Sequence, residues 1–167
     1  MPVARPTDFP QIALEDNLMI NLSNGVGETL QKMANVECTF EKAFTDKTWT
    51  PPEGFSVFLD VESPPSHGQI RFHFSHKALI KLYNNIMNET SVPVESQVLD
   101  CLGEFSNVSY GVAKRKLNGD GYSLNMALPH ASTSNDIPNV VSTKPKTIIP
   151  FNIFEEKCYI EVVILSN

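Results

Sequence analysis

A glutamate and an asparagine, three residues apart, are the side chains of this sequence whose types and spacing best suit chemistry. Glu104 and Asn107 lie in a run whose apolar residues recur at helical spacing, which places both side chains on one exposed face of a helix. An amide can accept and donate hydrogen bonds at once and so can orient a water molecule, while a nearby carboxylate can pair with a cation on an incoming surface. On spacing alone, an ordinary solvated polar stripe is the commoner interpretation.

The helix that must hold this pair is predicted from Pro93 to about Leu117. A proline is tolerated in the first turn of a helix, and the Asn-Gly-Asp-Gly sequence that starts at Asn118 ends the helical pattern. One side of this helix is apolar and is expected to face the core through Val98, Leu102, Phe105 and Val112. The polar pair is therefore expected on the opposite, solvent-facing side.

The rest of the chain repeats the same plan. A first helix is predicted over residues 17–33, and another helix, over residues 75–86, lies between the two halves. The expected strands are residues 36–44, 54–61 and 69–74 in the first half and residues 122–128, 147–154 and 158–165 in the second. The predicted fold class is therefore α/β, of the two-layer α+β kind, with a pseudo-two-fold repeat of one helix plus three strands and an extra helix between the halves.

Two segments fall outside this repeat. Residues 1–16 contain several prolines and are predicted to form an extended N-terminal arm, so that a single domain spans residues 17–167. The stretch from His130 to Lys146 is rich in Ser, Thr, Asn and Pro and is expected to be a mobile surface loop.

The two halves differ in their polar stripes. The first helix carries Asn17, Asn21, Asn24 and Glu28, and the third carries Asp100, Glu104, Asn107 and Gly111, with the same three- and four-residue steps. Aligning Asn24 with Asn107 pairs Asn21 with Glu104. Only the second half therefore has a carboxylate one turn before its amide.

Two glycines, Gly25 and Gly27, lie inside the first helical pattern. Each costs roughly 1 kcal/mol relative to alanine in an exposed helix interior. Their presence predicts that the first helix packs closely against another backbone, and the third helix, by analogy with Gly111, is the expected neighbour.

The segment from Leu102 to Pro129 resembles the CheC, CheX and FliY group of chemotaxis phosphatases, and CheX most of all. The pattern of that group is Glu-x-x-Asn, a glycine four residues on, a helix ending in Leu, and a strand finishing in Pro. This sequence matches it at Glu104, Asn107, Gly111, Leu117 and Pro129. The doubled plan, over about residues 17–165, is also similar to this family, and Asn21 in place of a first glutamate resembles CheX-like members, which carry the motif once.

The resemblance implies a phosphatase that hydrolyses the aspartyl phosphate of a CheY-like receiver domain in chemotaxis or two-component signalling. It implies that Glu104 pairs with the receiver's active-site lysine and that Asn107 orients the attacking water. The flanking Asp100 and Gly111 are the candidate partner-binding residues on the same stripe. No cofactor of the chain's own is implied, with Mg²⁺ held by the receiver, and a homodimer is expected.

The sequence departs from the family pattern within this helix. Phe105 and Ser106 stand where small or aliphatic residues are commoner, and Ser109 and Tyr110 replace an apolar-Ala pair. These departures predict an altered docking surface for the receiver.

Three other functional classes are weighed against this one. A non-catalytic interaction domain of the same architecture, such as a flagellar-switch or signalling adaptor, is the main alternative, because fold alone does not determine function. A metal site is disfavoured because His73 and His76 straddle a strand end and a helix cap without companion ligands, and ordinary surface histidines are expected instead. A cysteine nucleophile is disfavoured because nothing near Cys101 would lower its pKa; the three cysteines are interpreted as reduced core thiols.

Charge and hydropathy argue against several partners. The 167 residues carry 13 Lys and Arg against 19 Asp and Glu, a net charge of −6, so no overall positive field attracts nucleic acid or an anionic membrane. No apolar run approaches the roughly 20 residues that cross a bilayer, and the N-terminus lacks a signal-peptide pattern. A cytoplasmic protein is therefore expected.

Overall fold

The computed structural model describes the backbone of residues 11–140, 142 and 144–166. Its helices are α1 (Gln11–Ala34), α2 (His76–Met87) and α3 (Glu95–Gly119). Its strands are β1 (Thr39–Phe40), β2 (Phe44–Asp46), β3 (Phe55–Ser63), β4 (Ser66–Phe74), β5 (His130–Thr133), β6 (Lys146–Ile153) and β7 (Glu156–Ser166). None of the helices in this described part combines the length and apolarity that crossing a membrane requires.

The first helix begins earlier than predicted. Residues 11–16, expected to belong to the extended arm, are the first turns of α1, while residues 1–10 lie outside the described residues. The physical reason is that Ala13, Leu14 and Glu15 are good helix formers and that the last proline, Pro10, stands before the helix.

The described strands form one antiparallel sheet in the order β1-β6-β7-β4-β3-β5, with β2 also paired to β6. The hairpins β3–β4 and β6–β7 meet at the centre, where β4 pairs with β7. Each hairpin is extended at its outer edge by the first strand of the other half, since β5 adds to β3 and β1 and β2 add to β6. This exchange confirms the predicted pseudo-two-fold repeat.

The three helices cover one face of this sheet and bury a single core with it. Apolar side chains come from the helix stripes and from the inward-facing positions of the central strands. The largest fully buried ones are Phe72, Phe105, Phe151, Leu22, Leu30, Leu59, Ile70, Leu79, Leu82, Leu102 and Leu117. At roughly 1.5–3 kcal/mol for each fully buried side chain of this size, this layer supplies the main stabilisation of the fold.

α1 and α3 cross at very short range. A Cβ built on Gly25 would lie 2.6 Å from the backbone oxygen of Ser109, so only glycine permits this approach. The Nδ2 of Asn17, near the start of α1, donates to the hydroxyl of Tyr122, which follows α3, at 3.3 Å. The two helices therefore run antiparallel, and the predicted neighbour of Gly25 is confirmed.

Gly27 and Gly111 do not share this role. A Cβ on Gly27 would make ordinary contacts with Cys38 and Phe40 at 3.8 and 3.9 Å, and one on Gly111 would meet nothing within 4 Å among the described residues. The prediction of close helix packing is wrong for Gly27, and the analogy with Gly111 fails, because neither glycine lies at the crossing point.

The predicted strand over residues 36–44 is wrong as a single half-buried element. Only β1 and β2 are strands here, and their residues are mostly exposed. Both pair with β6 at the sheet edge, and short exposed strands are a common way to end a sheet.

The predicted strand over residues 122–128 is wrong as well, although the segment is ordered. Its backbone binds α3 and β3 locally and adds to no strand of the sheet. Asn118 Oδ1 accepts a hydrogen bond from the Leu124 N–H at 2.8 Å, the Asn125 N–H donates to Glu62 O at 3.1 Å, and the Tyr110 hydroxyl donates to Asn125 O at 2.8 Å. We call residues 122–129 the return segment, because they run back along α3.

The stretch from His130 to Lys146, predicted to be a mobile surface loop, is partly regular structure and packs on the other face of the sheet. β5 and a 3₁₀ turn open that stretch, and β6 begins at its last residue. Arg71 on β4 donates to Pro138 O at 2.6 Å, and the hydroxyl of Ser142 donates to Ile164 O at 2.8 Å. Part of this polar stretch therefore bonds the sheet, while His130, Asn135, Asp136 and Asn139 are exposed to solvent.

Replacing Gly25 tests the helix crossing. Gly25→Ala is expected to lower the free energy of unfolding by about 2–3 kcal/mol, because the new Cβ would overlap a backbone oxygen that moves only if α3 moves. Gly27→Ala, in the same helix, is the matched control and is expected to raise stability by up to about 1 kcal/mol. Urea unfolding of both variants makes the comparison, and equal effects would contradict this account of the crossing.

Candidate functional site

Glu104 and Asn107 project from the middle of α3 into solvent. Both side chains are exposed, and neither has a hydrogen-bond or ion-pair partner among the residues that the structure describes. A carboxylate and an amide are thus held one turn apart on a long, well-packed helix, with their polar heads uncommitted. This is the exposure that the predicted role of Asn107 requires.

The opposite side of α3 explains why the pair faces outward. Phe105 is fully buried and packs edge-on against Phe72 and Phe74, with ring centroids 6.1 and 5.3 Å apart. The hydroxyl of Ser106 is turned back onto Gly103 O at 2.8 Å within the helix. Rotation of α3 about its axis would expose these side chains, so the core determines the direction of the polar pair.

The predicted change in docking surface is not supported by the structure. Phe105, Ser106, Ser109 and Tyr110 are all buried, with at most 2% of their surface exposed. These departures from the family pattern face the core, α1 and the return segment. They alter the packing beneath the site and leave its exposed side unchanged.

A shallow concavity of about 300 Å³ opens beside the pair. Its walls combine polar residues of α3 with apolar residues from α3 and from the chain near β5. The lining residues are Leu99, Asp100, Gly103, Glu104, Asn107, Pro129 and Ala131. The sequence analysis missed Pro129 and Ala131 as lining residues, because residues 122–128 were predicted to be a strand of the sheet and Ala131, which lies in β5, was predicted to be in a mobile loop.

The two flanking candidates occupy different places. Asp100 is exposed, one turn before Glu104, and lines the concavity. Gly111 is half-buried, one turn after Asn107, with open space where a side chain would be. Both lie on the stripe that the sequence predicts, and their contact with a partner stays a prediction.

In the first half, the side chain that aligns with Glu104 is buried and already hydrogen-bonded. Asn21, which aligns with Glu104, is only 6% exposed, and its Nδ2 donates to the backbone and side-chain oxygens of Asn17 at 2.9 and 3.1 Å. Asn24, which aligns with Asn107, is exposed. The fold is therefore symmetric in its backbone plan and asymmetric in this pair of side chains.

The histidines set aside as metal ligands have other roles. His73 is buried and is not the surface histidine that was expected: its Nδ1 lies 2.6 Å from the Ser56 hydroxyl and its Nε2 2.7 Å from Glu161. Burial lowers the pKa of His73, and the hydrogen bond to Glu161 offsets this only in part. His76 is exposed, with its ring edge-on to Phe55.

Glu161 is the anionic centre of this buried cluster. Although burial acts to raise its pKa, the hydrogen bond from His73 and the charges of Lys146 and Arg71 hold it below its ordinary value. Lys146 Nζ lies 3.3 Å from Glu161 Oε2, with both side chains almost fully buried. The cluster connects β4, β6 and β7 on the face of the sheet away from α3. The ring of Trp49 packs against this face, in contact with His73 and Tyr159.

The surroundings of the cysteines raise the pKa of all three thiols. Burial raises the pKa of Cys101 to about 11 and that of Cys158 to about 12. Cys158 is in the core, whereas Cys38 and Cys101 are half-buried, and all three are unpaired. Burial outweighs the backbone hydrogen bonds that act to lower the pKa of Cys38 and Cys158, so the surroundings do not favour a thiolate nucleophile, and the interpretation as core thiols holds fully only for Cys158.

Comparison with known proteins identifies the architecture. The family model described as chemotaxis phosphatase CheX matches residues 55–152, which is more than half of the chain. The chain belongs to the CheX family. No curated protein sequence matches it significantly.

Solved structures extend this similarity to nearly the whole fold. A CheC-like superfamily protein from Shewanella sp. PV-4 superposes with a TM-score of 0.78 at 24% identity, covering 89% of this chain and 97% of its own. A chemotactic CheC-like protein from Shewanella oneidensis MR-1 gives 0.76 at 25% identity, covering 90% and 99%. A chain of the CheX–CheY–BeF₃–Mg²⁺ complex from Borrelia burgdorferi gives 0.73 at 16% identity, covering 89% of this chain and 98% of its own.

Gly111 offers a test that separates folding from site function in this CheX family member. Gly111→Ala is expected to raise the free energy of unfolding by about 0.5–1 kcal/mol, because alanine favours the helix and the new Cβ meets no described atom within 4 Å. Thermal or urea unfolding measures the change. A loss of stability would show that the glycine is needed for folding and would remove the reason to assign it to the site.

Proposed function

We propose that this chain hydrolyses the aspartyl phosphate of a CheY-like receiver domain, with Asn107 orienting the attacking water and Glu104 pairing with the receiver's lysine. The observation that carries the proposal is the exposed, uncommitted carboxylate and amide one turn apart on α3. Membership of a family of chemotaxis phosphatases supports the reaction class, and the complex of CheX with CheY from Borrelia burgdorferi supports the kind of partner.

The proposed reaction needs no covalent intermediate on this chain. The water oxygen forms a bond to phosphorus, the bond from phosphorus to the aspartate oxygen breaks, and the aspartate leaves as a carboxylate while the water proton passes to phosphate or solvent. An acyl phosphate already hydrolyses unaided, so in-line placement of the water is the main requirement. An amide suits this, because its oxygen can accept from the water while its N–H group can donate to a phosphoryl oxygen.

The magnesium ion of this reaction is assigned to the receiver. The described residues contain no group of three or more His, Cys, Asp and Glu side chains placed to share a metal ion. Mg²⁺ held by the receiver would neutralise charge on the phosphoryl group. The chain's own residues then supply position and a counter-charge to lysine.

Asn107→Ala is expected to reduce the rate of receiver dephosphorylation about a hundredfold, the effect of roughly 2.7 kcal/mol in the barrier. The matched control is Asn24→Ala, which removes the aligned amide of α1, also exposed, and is expected to leave the rate unchanged. Loss of phosphate from a phosphorylated receiver at saturating concentration is the measurement. Equal rates for wild type, Asn107→Ala and Asn24→Ala would remove the enzymatic role of Asn107.

Glu104→Lys is expected to raise the KM for the phosphorylated receiver at least tenfold, because the new ammonium group would face the receiver's lysine as a like charge. Glu28→Lys, an exposed charge reversal on α1, controls for the change of net charge. The same assay, run over a range of receiver concentrations, separates KM from kcat. An equal rise in KM for Glu104→Lys and Glu28→Lys would mean that the overall charge of the chain, and not the position of Glu104, governs binding.

Three related assignments accompany this proposal. Asp100 and Gly111 would contact the receiver on either side of the pair. A receiver phosphatase would act in the cytoplasm, where response regulators work. The homodimer implied by the family resemblance stays a prediction, and a non-catalytic interaction domain remains the alternative function if no phosphate is released.

A further inference from the structure

The return segment presents two large apolar side chains to solvent beside the candidate site. Met126 is 86% exposed and Leu128 is 79% exposed, and they are among the most exposed large hydrophobic side chains of the described residues. Between them, Ala127 is half-buried against the core cluster, so the two exposed side chains share the outward direction of one extended strip. We call this pair the apolar ridge.

The ridge lies alongside the turn of α3 that carries Glu104 and Asn107. At one end the Tyr110 hydroxyl holds Asn125 O at 2.8 Å. At the other end Pro129 Cγ is 3.7 Å from the position a Cβ on Gly103 would take. Glu104 and Asn107 lie between these two contacts on α3, and the apolar ridge lies between them on the return segment.

The ridge is also held rigidly. Asn125 donates from its backbone N–H to Glu62 O at 3.1 Å and accepts from the Glu62 N–H through Oδ1 at 2.7 Å, so the return segment is fastened to β3. Its Nδ2 bonds Met126 O at 3.0 Å. Side chains on such a fixed backbone lose little chain entropy when they are covered by a partner.

We propose, resting on the function proposed above, that the apolar ridge is the docking surface for the receiver and supplies most of its affinity. A specific interface buries about 800 Å² on each partner, far more than one carboxylate and one amide provide. An exposed charge pair adds little binding free energy, so the affinity must come from apolar contact near it. A receiver that brings its acyl phosphate to Asn107 lies against α3 and covers the ridge, and we infer an apolar patch beside its phosphorylated aspartate.

The ridge is tested with Met126→Ser combined with Leu128→Ser. Because both side chains are exposed, the double variant is expected to unfold thermally like the wild type. Its Kd for a receiver loaded with beryllofluoride and Mg²⁺, taken from a panel of CheY-type receivers, is expected to weaken at least tenfold. In the phosphatase assay its KM is expected to rise by a similar factor while kcat stays within about twofold, whereas Asn107→Ala lowers kcat.

Val92→Ser is the matched control. Val92 is 85% exposed and precedes α3, and roughly 18 Å of helix separate Glu95 from Asn107 at about 1.5 Å per residue. Its substitution is expected to leave both Kd and KM unchanged. An unchanged Kd for the double ridge variant, or an equal loss in Val92→Ser, would overturn the proposal.

The outcomes separate the ridge from the proposed function. If the wild type binds the loaded receiver but releases no phosphate, the phosphatase proposal fails, and the binding of the ridge variant still decides the docking surface. If Asn107→Ala abolishes turnover while the ridge variant matches wild type, the ridge proposal fails alone. If the double variant changes the oligomeric state of the chain itself, a second copy of the chain covers the ridge, and the ridge proposal is overturned. If the wild type binds no receiver of the panel, both the ridge proposal and the phosphatase proposal are overturned.

Discussion

The close antiparallel approach of α1 and α3 is the constraint on which the arrangement of this protein depends. At Gly25 the backbone of one helix nearly touches the Ser109 carbonyl of the other, at a distance that a Cβ would forbid. Packed cores are dense and accept few alternatives, so this contact limits how α3 can rotate above the sheet. With Phe105 directed into the core, Glu104 and Asn107 can only face outward. The candidate chemistry is thus a consequence of helix packing and not of a dedicated pocket.

The two faces of the sheet bury different kinds of side chain. The helix face holds the apolar core, whereas the opposite face holds a buried polar cluster centred on Glu161 and closed by Trp49 and the chain before β6. Burying such a cluster costs free energy unless its charges are paired; here His73 hydrogen-bonds one oxygen of Glu161, and the other oxygen forms an ion pair with Lys146 but accepts no hydrogen bond. On this face the side chains of His73, Glu161 and Lys146 link strands of both halves, in addition to the pairing of β4 with β7.

The pseudo-two-fold repeat was open to prediction because it rests on periodicity, which is local. The helices over α2 and α3, the β3–β4 and β6–β7 hairpins and the stripe from Asp100 to Gly111 follow from the spacing of apolar residues and from turn sequences. For residues 122–128, the same kind of local pattern led to a wrong strand prediction. Their alternation is real, but alternation does not say which partner a segment binds. The backbone of this segment bonds Asn118 and Tyr110 of α3 and Glu62 of β3, without forming a strand ladder.

By itself the sequence determined that α3 is amphipathic and that its polar side carries one acid and one amide a turn apart, because helical geometry follows from spacing alone. It also showed that the first half lacks the acid. Only the tertiary structure decided that the Asn21 amide is buried against Asn17, that His73 is buried beside Glu161, and that Pro129 lines the same concavity as Asn107. These are contacts between residues far apart in the chain, and they depend on how elements pack, which no local pattern encodes.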